Sequence, residues 1–144
     1  WTEKVFEKAA QTPHNQYLFL TKRPERLNIQ TDLANLWFGV TVTCAAERER
    51  IEILRRNVKA KHYHVTFEPL SDGVGEVNFS GIGWTVIGTE TGNCKGKIPS
   101  ERAWVDDLYL QAKAKGVPVF MKEALEGIVP TNEMIQEFPK EFHL

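Results

Sequence analysis

Short apolar runs alternate with amphipathic stretches along most of the chain. Five runs have the length and the apolar, aromatic and β-branched composition of strands, and each meets polar or turn-forming residues at its end. They are QYLFLTKRP (16–24), NLWFGVTVT (35–43), KHYHVTFEP (61–69), WTVIGTETG (84–92) and VPVFMKE (117–123). The run at 35–43 is apolar almost throughout, which is typical of a strand buried on both faces of a sheet.

Helical periodicity fills most of the intervals between these runs. A first amphipathic helix opens the chain, and a second is predicted after Thr43, which is placed as its N-cap. A third is predicted from Ser100, again as N-cap, to Lys115, with Gly116 at the position where a helix-ending glycine belongs. A weaker pattern predicts one short helix near residues 132–138.

Strands that alternate with helices predict βαβ units and a parallel sheet. We therefore expect one α/β domain over residues 1–144, with a parallel sheet of about five strands and flanking helices. Right-handed crossovers bring the C-terminal ends of all strands to one edge of such a sheet. The pattern leaves two architectures open, a small doubly wound sheet and part of a TIM-like (β/α) barrel.

Composition indicates an ordinary soluble globular chain. Of its 144 residues, 42% are hydrophobic and 26% are charged, and the formal net charge of -1 gives no global attraction to nucleic acid or to an anionic membrane. No apolar run approaches the roughly 20 residues needed to span a bilayer. Cys44 and Cys94 form no metal-binding cluster, so we expect two reduced thiols in a cytoplasmic protein.

The first residues suggest part of a longer protein. The chain begins with Trp1, inside an amphipathic helix, and has no initiator Met there. We therefore expect a fragment, or a chain whose upstream part is missing. A partial sheet leaves an open edge, which favours a homodimer or pairing with a missing N-terminal half.

Polar and charged residues end the predicted strands. In parallel α/β folds ligands bind at this edge, because strand ends and helix N-termini converge there. Strand ends that meet water are often polar even where no ligand binds. The prediction of a ligand site therefore depends on the presence of polar or charged residues at all five strand ends. The residues predicted to bind a small polar or anionic ligand are Lys22, Arg23, Thr41, Glu68, Gly88, Glu90, Gly92 and Lys122.

Glu68 is the most informative of these residues, because Pro69 stops the strand directly after it. His62, His64, Thr66 and Glu68 alternate with apolar residues and therefore share one face of the strand. A polar barrel lumen suits that pattern. For the two histidines, interior packing is favoured over metal ligation, and no metal site is predicted.

The loop at Gly88–Gly92 has two glycines that can bring backbone N–H groups close to a ligand carboxylate or phosphate. Glu90 could accept from a ligand ammonium or hydroxyl. The alternative is a glycine-rich loop that only turns the chain. Lys122 is expected to pair with Glu68 or with Glu90, and one of the two cations after the first strand either holds an anion or forms a surface ion pair.

Five segments, FLTKRPERL, NLWFGVTVT, VTFEPL, WTVIGTETG and GVPVFMKE, together resemble the phage gp-thirty-seven/gp-sixty-eight family. These are uncharacterised phage and bacterial proteins with a radical-SAM-like barrel. The resemblance covers about residues 17–123, with the motifs in family order. The family loop after the fourth strand resembles G-G-E-S-G, and Gly88–Gly92 keeps its outer glycines and its acid. The family's acid and amide near Thr43 and Cys44 are missing, so no role is assigned there.

The resemblance implies the C-terminal portion of a barrel whose upstream half binds an iron–sulfur cluster and S-adenosylmethionine. Two cysteines cannot supply the three thiolates of such a cluster, so this chain is expected to hold no cofactor and to be inactive alone. It would be the ligand- and substrate-binding half of an enzyme. The alternatives are a non-catalytic binding or assembly module of a phage or integrated element, and proton transfer between Glu68 and Lys122.

Overall fold

Five strands form one parallel sheet whose order follows the order of the chain. The computed structural model describes residues 2–92 and 95–142. The sheet has the order β1-β3-β5-β6-β7, and a separate two-residue parallel ladder joins β2 to β4. The helices and strands are α1 (Thr2–Gln11), β1 (Tyr17–Thr21), β2 (Ile29–Gln30), β3 (Leu36–Thr41), α2 (Glu49–Asn57), β4 (Val58–Lys59), β5 (His62–Phe67), β6 (Ile82–Ile87), α3 (Arg102–Ala114) and β7 (Val119–Met121).

The predicted α/β fold, with a five-stranded parallel sheet and flanking helices, is confirmed. Every neighbouring pair of the sheet is parallel. Each predicted strand is present and shorter than predicted, because its last residues leave the sheet as loops. The sheet is open, with β1 and β7 at opposite ends of the order, so the described residues do not form a closed barrel.

One face of the sheet carries the hydrophobic core. Val65 and Phe67 of β5 are fully buried there together with Leu54 of α2 and Leu108 of α3. Right-handed crossovers between parallel strands in sequential order place their connections on the same side of the sheet, which explains why the core forms on this face. Among the described residues, no helix is long and apolar enough to cross a membrane.

The second face carries an aromatic cluster near the N-terminal ends of the strands. Phe142 places its ring centroid 5.1 Å from that of Trp37 and 5.2 Å from that of Trp84. Phe138 stacks on Trp84 at 5.9 Å. The C-terminal segment therefore covers this half of the second face, and the half near the C-terminal strand ends is lined by different residues.

Asn35 attaches α1 to the start of the sheet. Its side chain is buried, and Nδ2 donates to the backbone oxygens of Ala9 at 3.0 Å, Thr12 at 3.2 Å and Asn15 at 3.0 Å. These three carbonyls belong to the last turn of α1 and to the loop that leads into β1. One amide side chain therefore fixes the path between the first helix and the first strand.

Both predicted N-caps are wrong. Helix α2 begins at Glu49, and a short 3₁₀ turn separates it from Thr43. Thr43 donates from its N–H at 2.8 Å and from Oγ1 at 3.0 Å to Oε2 of Glu47, because that carboxylate reaches back to the strand end. Helix α3 begins at Arg102, since the side chain of Ser100 is engaged in a tertiary contact instead.

The predicted end of α3 is confirmed. Gly116 has φ of 68°, a left-handed conformation that glycine adopts without strain. Its N–H donates to the oxygen of Lys113 at 2.9 Å, and the N–H of Val117 donates to the oxygen of Ala112 at 3.0 Å. These two bonds form a Schellman motif, which turns the chain from α3 into β7.

The predicted helix at 132–138 is wrong. A 3₁₀ turn is followed by an antiparallel bridge between Gln136 and Phe120 of β7, and the N–H of Met121 donates to the oxygen of Ile135 at 2.7 Å. The edge of β7 offers backbone groups that need partners. Pairing with that edge gives hydrogen-bond partners to the backbone groups of both the tail and β7. A separate helix would leave the edge of β7 unpaired.

His64 lies across Gly39 of the neighbouring strand on the second face. A Cβ at Gly39 would fall 2.3–2.5 Å from three atoms of the His64 ring, so only glycine leaves room for it. The Nε2–H group of His64 donates to the oxygen of Phe19 at 3.1 Å, since a carbonyl can only accept. Burial lowers the pKa of His64 to about 4, although this hydrogen bond opposes the shift.

We expect Gly39→Ala to destabilise the fold. The added methyl group would displace the His64 ring and break its bond to Phe19, and overpacking of this kind costs about 1–3 kcal/mol. The free energy of unfolding, measured by chemical denaturation, should show the loss. Adding His64→Ala should recover part of it, because the ring that clashes is then absent. Strictly additive losses in the double variant would contradict the clash.

The buried histidine should also make stability depend on pH. His64 stays neutral in the folded chain, whereas the unfolded chain takes up the proton near pH 6.5. Stability should therefore fall as the pH drops from about 6.5 to about 4, by at most about 3 kcal/mol from this group. Denaturation at several pH values should show a shallower dependence for His64→Phe. His14→Gln, at an exposed loop position, is the control, and an unchanged slope in His64→Phe would contradict the assignment.

Candidate functional site

Glu68 and Lys122 meet across the C-terminal edge of the sheet. Glu68 follows β5, and Lys122 follows β7, with β6 between them. The Lys122 Nζ lies 2.7 Å from Oε1 and 2.9 Å from Oε2 of Glu68. The expectation that Lys122 pairs with Glu68 or Glu90 is therefore confirmed for Glu68.

Gly88 makes this contact sterically feasible. It stands at the end of β6, between the two charged residues, and a Cβ there would lie 2.9–3.1 Å from the side chain of Glu68. The backbone on both sides is held by ladder bonds, from the N–H of Gly88 to Phe67 at 2.9 Å and from the N–H of Lys122 to Ile87 at 2.9 Å. The carboxylate therefore crosses β6 directly above a glycine.

The pair remains accessible to solvent. The Glu68 side chain is 28% exposed and the Lys122 side chain 46%. Ion pairs with this degree of exposure usually contribute about 0–1 kcal/mol to stability. Folding stability therefore gives little reason for the two charges to meet here, and both remain within reach of a ligand.

Thr41 and Thr66 lie beneath the charged pair on the second face. They are paired in the register of β3 and β5, and their residues are only 4% and 7% exposed. Strand alternation puts Thr66 on the same face as Glu68, whereas Val65 and Phe67 enter the core. The predicted polar face of this strand is therefore present. Val86, half-buried on β6 beside Thr66, continues the same surface.

A buried set of hydrogen bonds ties together the loops that carry the site. Ser100 donates from Oγ to the oxygen of Leu70 at 2.6 Å, and its N–H donates to Oγ1 of Thr89 at 3.0 Å. The N–H of Leu70 donates to the oxygen of Gly88 at 2.9 Å. The loops after β5 and β6 and the approach to α3 are thus held as one unit. Sequence reasoning missed this role because Ser before a helix is also the usual N-cap signal.

The loop after β3 joins the same edge. Ser71 donates to the oxygen of Thr43 from its N–H at 3.0 Å and from Oγ at 3.1 Å. Arg50 contacts Oε2 of Glu47 at 2.6 Å. Partial burial opposes ionisation of Glu47, but the hydrogen bonds from Thr43 and the charge of Arg50 outweigh it and hold its pKa below the usual range. This carboxylate therefore organises the loop.

The glycine-rich loop places its predicted residues differently. Glu90 is half-buried, and its Oε2 accepts from the backbone N–H of Ile98 at 3.1 Å, so the carboxylate holds its own loop. Gly92 is exposed and has φ of 90°. Neither residue contacts the Glu68–Lys122 pair in the part of the chain that the structure describes.

The two cations after β1 also stand apart from the pair. Lys22 is exposed, and Arg23 forms an ion pair with Glu25 on the surface. The structure therefore shows for Arg23 the surface ion pair that the sequence left open as an alternative. Of the eight predicted residues, Glu68 and Lys122 are in direct contact, Gly88 leaves room for the Glu68 side chain, and Thr41 lies on the surface beneath them.

The two histidines of β5 have separate surroundings. His62 stacks on Trp37 with ring centroids 4.5 Å apart, whereas His64 is bonded to Phe19. Across residues 2–92 and 95–142, no group of three or more His, Cys, Asp or Glu residues could hold a metal ion. Cys94, one of the two predicted reduced thiols, lies outside the described residues, and Cys44 is a free thiol.

A small cavity lies away from this edge. It has a volume of about 190 Å³ and contains none of the eight predicted residues. Its walls are almost entirely apolar, so it offers no group for catalysis or for recognition of a charged ligand. The charged edge of the sheet is therefore a better candidate for the functional site than the cavity. The cavity is lined by Phe6, Phe19, Leu20, Thr21, Leu27, Ile29, Phe38 and Gly39.

Comparison with known families identifies the chain by its family alone. Residues 1–137 match the family described as "Protein of unknown function (DUF5131)", and the chain belongs to that family. No curated protein and no solved structure matches it. The family description names no activity.

We expect Ser100→Ala to lower the free energy of unfolding by about 1–3 kcal/mol. The substitution leaves the buried oxygen of Leu70 without the donor now 2.6 Å away, and an unsatisfied buried acceptor costs that amount. Chemical denaturation measures the change. Ser80→Ala, at an exposed position, is the matched control and should change stability little. Equal effects of the two substitutions would contradict the structural role of Ser100.

Proposed function

We propose that the C-terminal edge of the sheet binds a small zwitterionic or anionic ligand between Glu68 and Lys122. The observation that carries the proposal is the contact of two opposite charges above Gly88 at 2.7 and 2.9 Å. Parallel α/β folds bind ligands at this edge. The other predicted residues are not needed for the contact.

The chemistry of the pair suits a zwitterion. The Glu68 carboxylate can accept from a ligand ammonium, and the Lys122 ammonium can donate to a carboxylate or phosphate. Because both side chains are partly solvated, a ligand can replace their mutual contact at little cost in desolvation. The backbone hydrogen bonds around Gly88 and the buried hydrogen bond from Ser100 to Leu70 hold the strand ends that carry Glu68 and Lys122 in place before a ligand binds.

The resemblance to the phage family also supports a proposal about the fold of which this sheet is a part. Parallel strands that pair in strict chain order are the arrangement of a (β/α) barrel, whereas a doubly wound sheet reverses its order at one point. We propose that the sheet is a segment of such a barrel, with the second face toward the lumen. Further strands would then join at β1, the end of the sheet opposite β7.

The chain's own residues do not fit a radical-SAM cluster. Such a cluster needs at least three thiolates at close spacing, and the sequence contains two cysteines, fifty positions apart. We therefore derive no step through a cluster. The role proposed for this chain is to bind and orient a ligand. The electrons for radical chemistry on that ligand would come from a group outside this chain.

A non-catalytic assembly role is the second candidate, and the surface of β1 favours it. Leu18 and Leu20 are 43% and 52% exposed on this strand, which has a neighbour on one side only within the described residues. Apolar side chains on an open edge are typical of strands that pair with another chain. A stable oligomer combined with an edge that binds no ligand would favour this candidate.

Titration with S-adenosylmethionine tests the ligand site, because this molecule carries both an ammonium and a carboxylate. We expect saturable heat in isothermal calorimetry, and at least about tenfold weaker binding for Glu68→Gln and for Lys122→Met, since each loses a charged hydrogen bond.

Glu25→Gln is the matched control, because it removes a partly exposed carboxylate from a different ion pair. It should leave the affinity unchanged. The proposal is contradicted by unchanged affinity in both site variants, or by the absence of saturable binding at millimolar ligand.

A further inference from the structure

We propose that the ligand is an amino acid with an apolar side chain, and that this side chain packs on Val86 and Phe120. This inference rests on the proposed function and names the class of zwitterion that the site takes. Val86 and Phe120 are partners in the register of β6 and β7. They lie on the second face, beneath the charged pair formed by Glu68 and Lys122.

Strand alternation places the two apolar side chains on the same face as the charges. Phe120 precedes Lys122 by two positions along the chain, and Val86 lies beside Phe120. The next residues of the two strands, Ile87 and Met121, enter the core and are 0% and 2% exposed. An apolar row of two side chains therefore lies directly beneath the row that carries the charges.

The accessible part of this row is apolar. Val86 and Phe120 are half-buried, whereas Thr66, the register partner of Val86 on β5, is only 7% exposed. Single apolar residues are common on protein surfaces and need no explanation. Here two of them are adjacent to each other and lie below a pair of opposite charges. A ligand with a charged end and an apolar end matches this combination.

The aromatic cluster bounds the apolar row toward the N-terminal strand ends. The ring centroid of Phe120 lies 6.2 Å from that of Trp84 and 5.1 Å from that of Phe138. Trp84 precedes Val86 by two positions on the same face and is only 8% exposed. The accessible apolar surface is therefore one row deep. It suits a single side chain and is too short for an extended apolar chain such as that of a fatty acid.

Charge and spacing together select an amino acid. The ligand ammonium would bind Glu68, the ligand carboxylate would bind Lys122, and the side chain would turn toward Val86. Two residues along a strand span about 7 Å, and apolar contact begins when heavy atoms approach within about 4 Å. The side chain of phenylalanine or leucine extends far enough from its ammonium group to make this contact. The methyl group of alanine does not.

Titration with four amino acids tests the inference, with binding to the wild-type chain followed by NMR. We expect L-phenylalanine to bind at least about tenfold more tightly than L-alanine, because only the larger side chain buries apolar surface on the row beneath the charges. L-Leucine should bind more tightly than L-asparagine, which has the same branched skeleton and a polar end. Equal affinities within either pair, or no binding of any of the four, would overturn the inference.

Variants of Val86 test whether this row is the source of the preference. Val86→Thr keeps the shape of the side chain and makes it polar, and Val86→Asn makes it more polar still. We expect the first to lower the preference for phenylalanine over alanine at least about threefold, and the second to lower it further. Because the preference is a ratio of two affinities measured on one protein, a smaller folded fraction does not change it.

Val5→Thr is the matched control, because it makes the same change at a half-buried valine of α1. It should leave the preference unchanged. A preference that survives in both Val86 variants, or one that Val5→Thr lowers as much as Val86→Thr does, would overturn the inference.

Glu68→Gln separates this inference from the proposed function. It should weaken phenylalanine and alanine alike, because both carry the ammonium. If both bind with equal affinity and both depend on Glu68, the charged pair is a binding site and the inference about the apolar row is wrong. If S-adenosylmethionine and the amino acids bind independently of Glu68 and Lys122, the proposed function is wrong as well.

Discussion

The pairing of parallel strands in chain order is the constraint on which the rest of the structure depends. It places the connections on one face, where α2 and α3 cover the core. It also aligns the ends of β5, β6 and β7 at one edge. Glu68 and Lys122 can meet there because the strand between them ends in Gly88.

The second face is divided between two kinds of surface. Near the N-terminal strand ends, the C-terminal segment covers Trp37 and Trp84 with Phe138 and Phe142. Near the C-terminal ends, the largely buried residues Thr41 and Thr66 lie behind an ion pair that contributes little to stability. A partly exposed ion pair that adds little to stability is therefore the strongest physical reason to seek a ligand at this edge.

The strands and the central contact could be predicted because they depend on local periodicity and on one general rule. Alternation assigned Thr66 and Glu68 to one face, and the convergence of parallel strand ends brought Lys122 to Glu68. Other features depend on tertiary contacts that the sequence pattern does not contain. Ser100 has the local signature of an N-cap, yet it bonds to Leu70, thirty positions away. The tail pairs with β7 because that strand edge needed a partner.

Amide chemical-shift mapping during titration with S-adenosylmethionine tests the central claim most directly. The account predicts that the largest changes occur at the C-terminal edge and on the surface beneath it, at Thr41, Thr66, Glu68, Gly88 and Lys122. Changes centred on the apolar cavity between α1 and β1, around Phe6 and Phe38, would contradict it. The same holds for changes that avoid the ends of β5, β6 and β7 altogether.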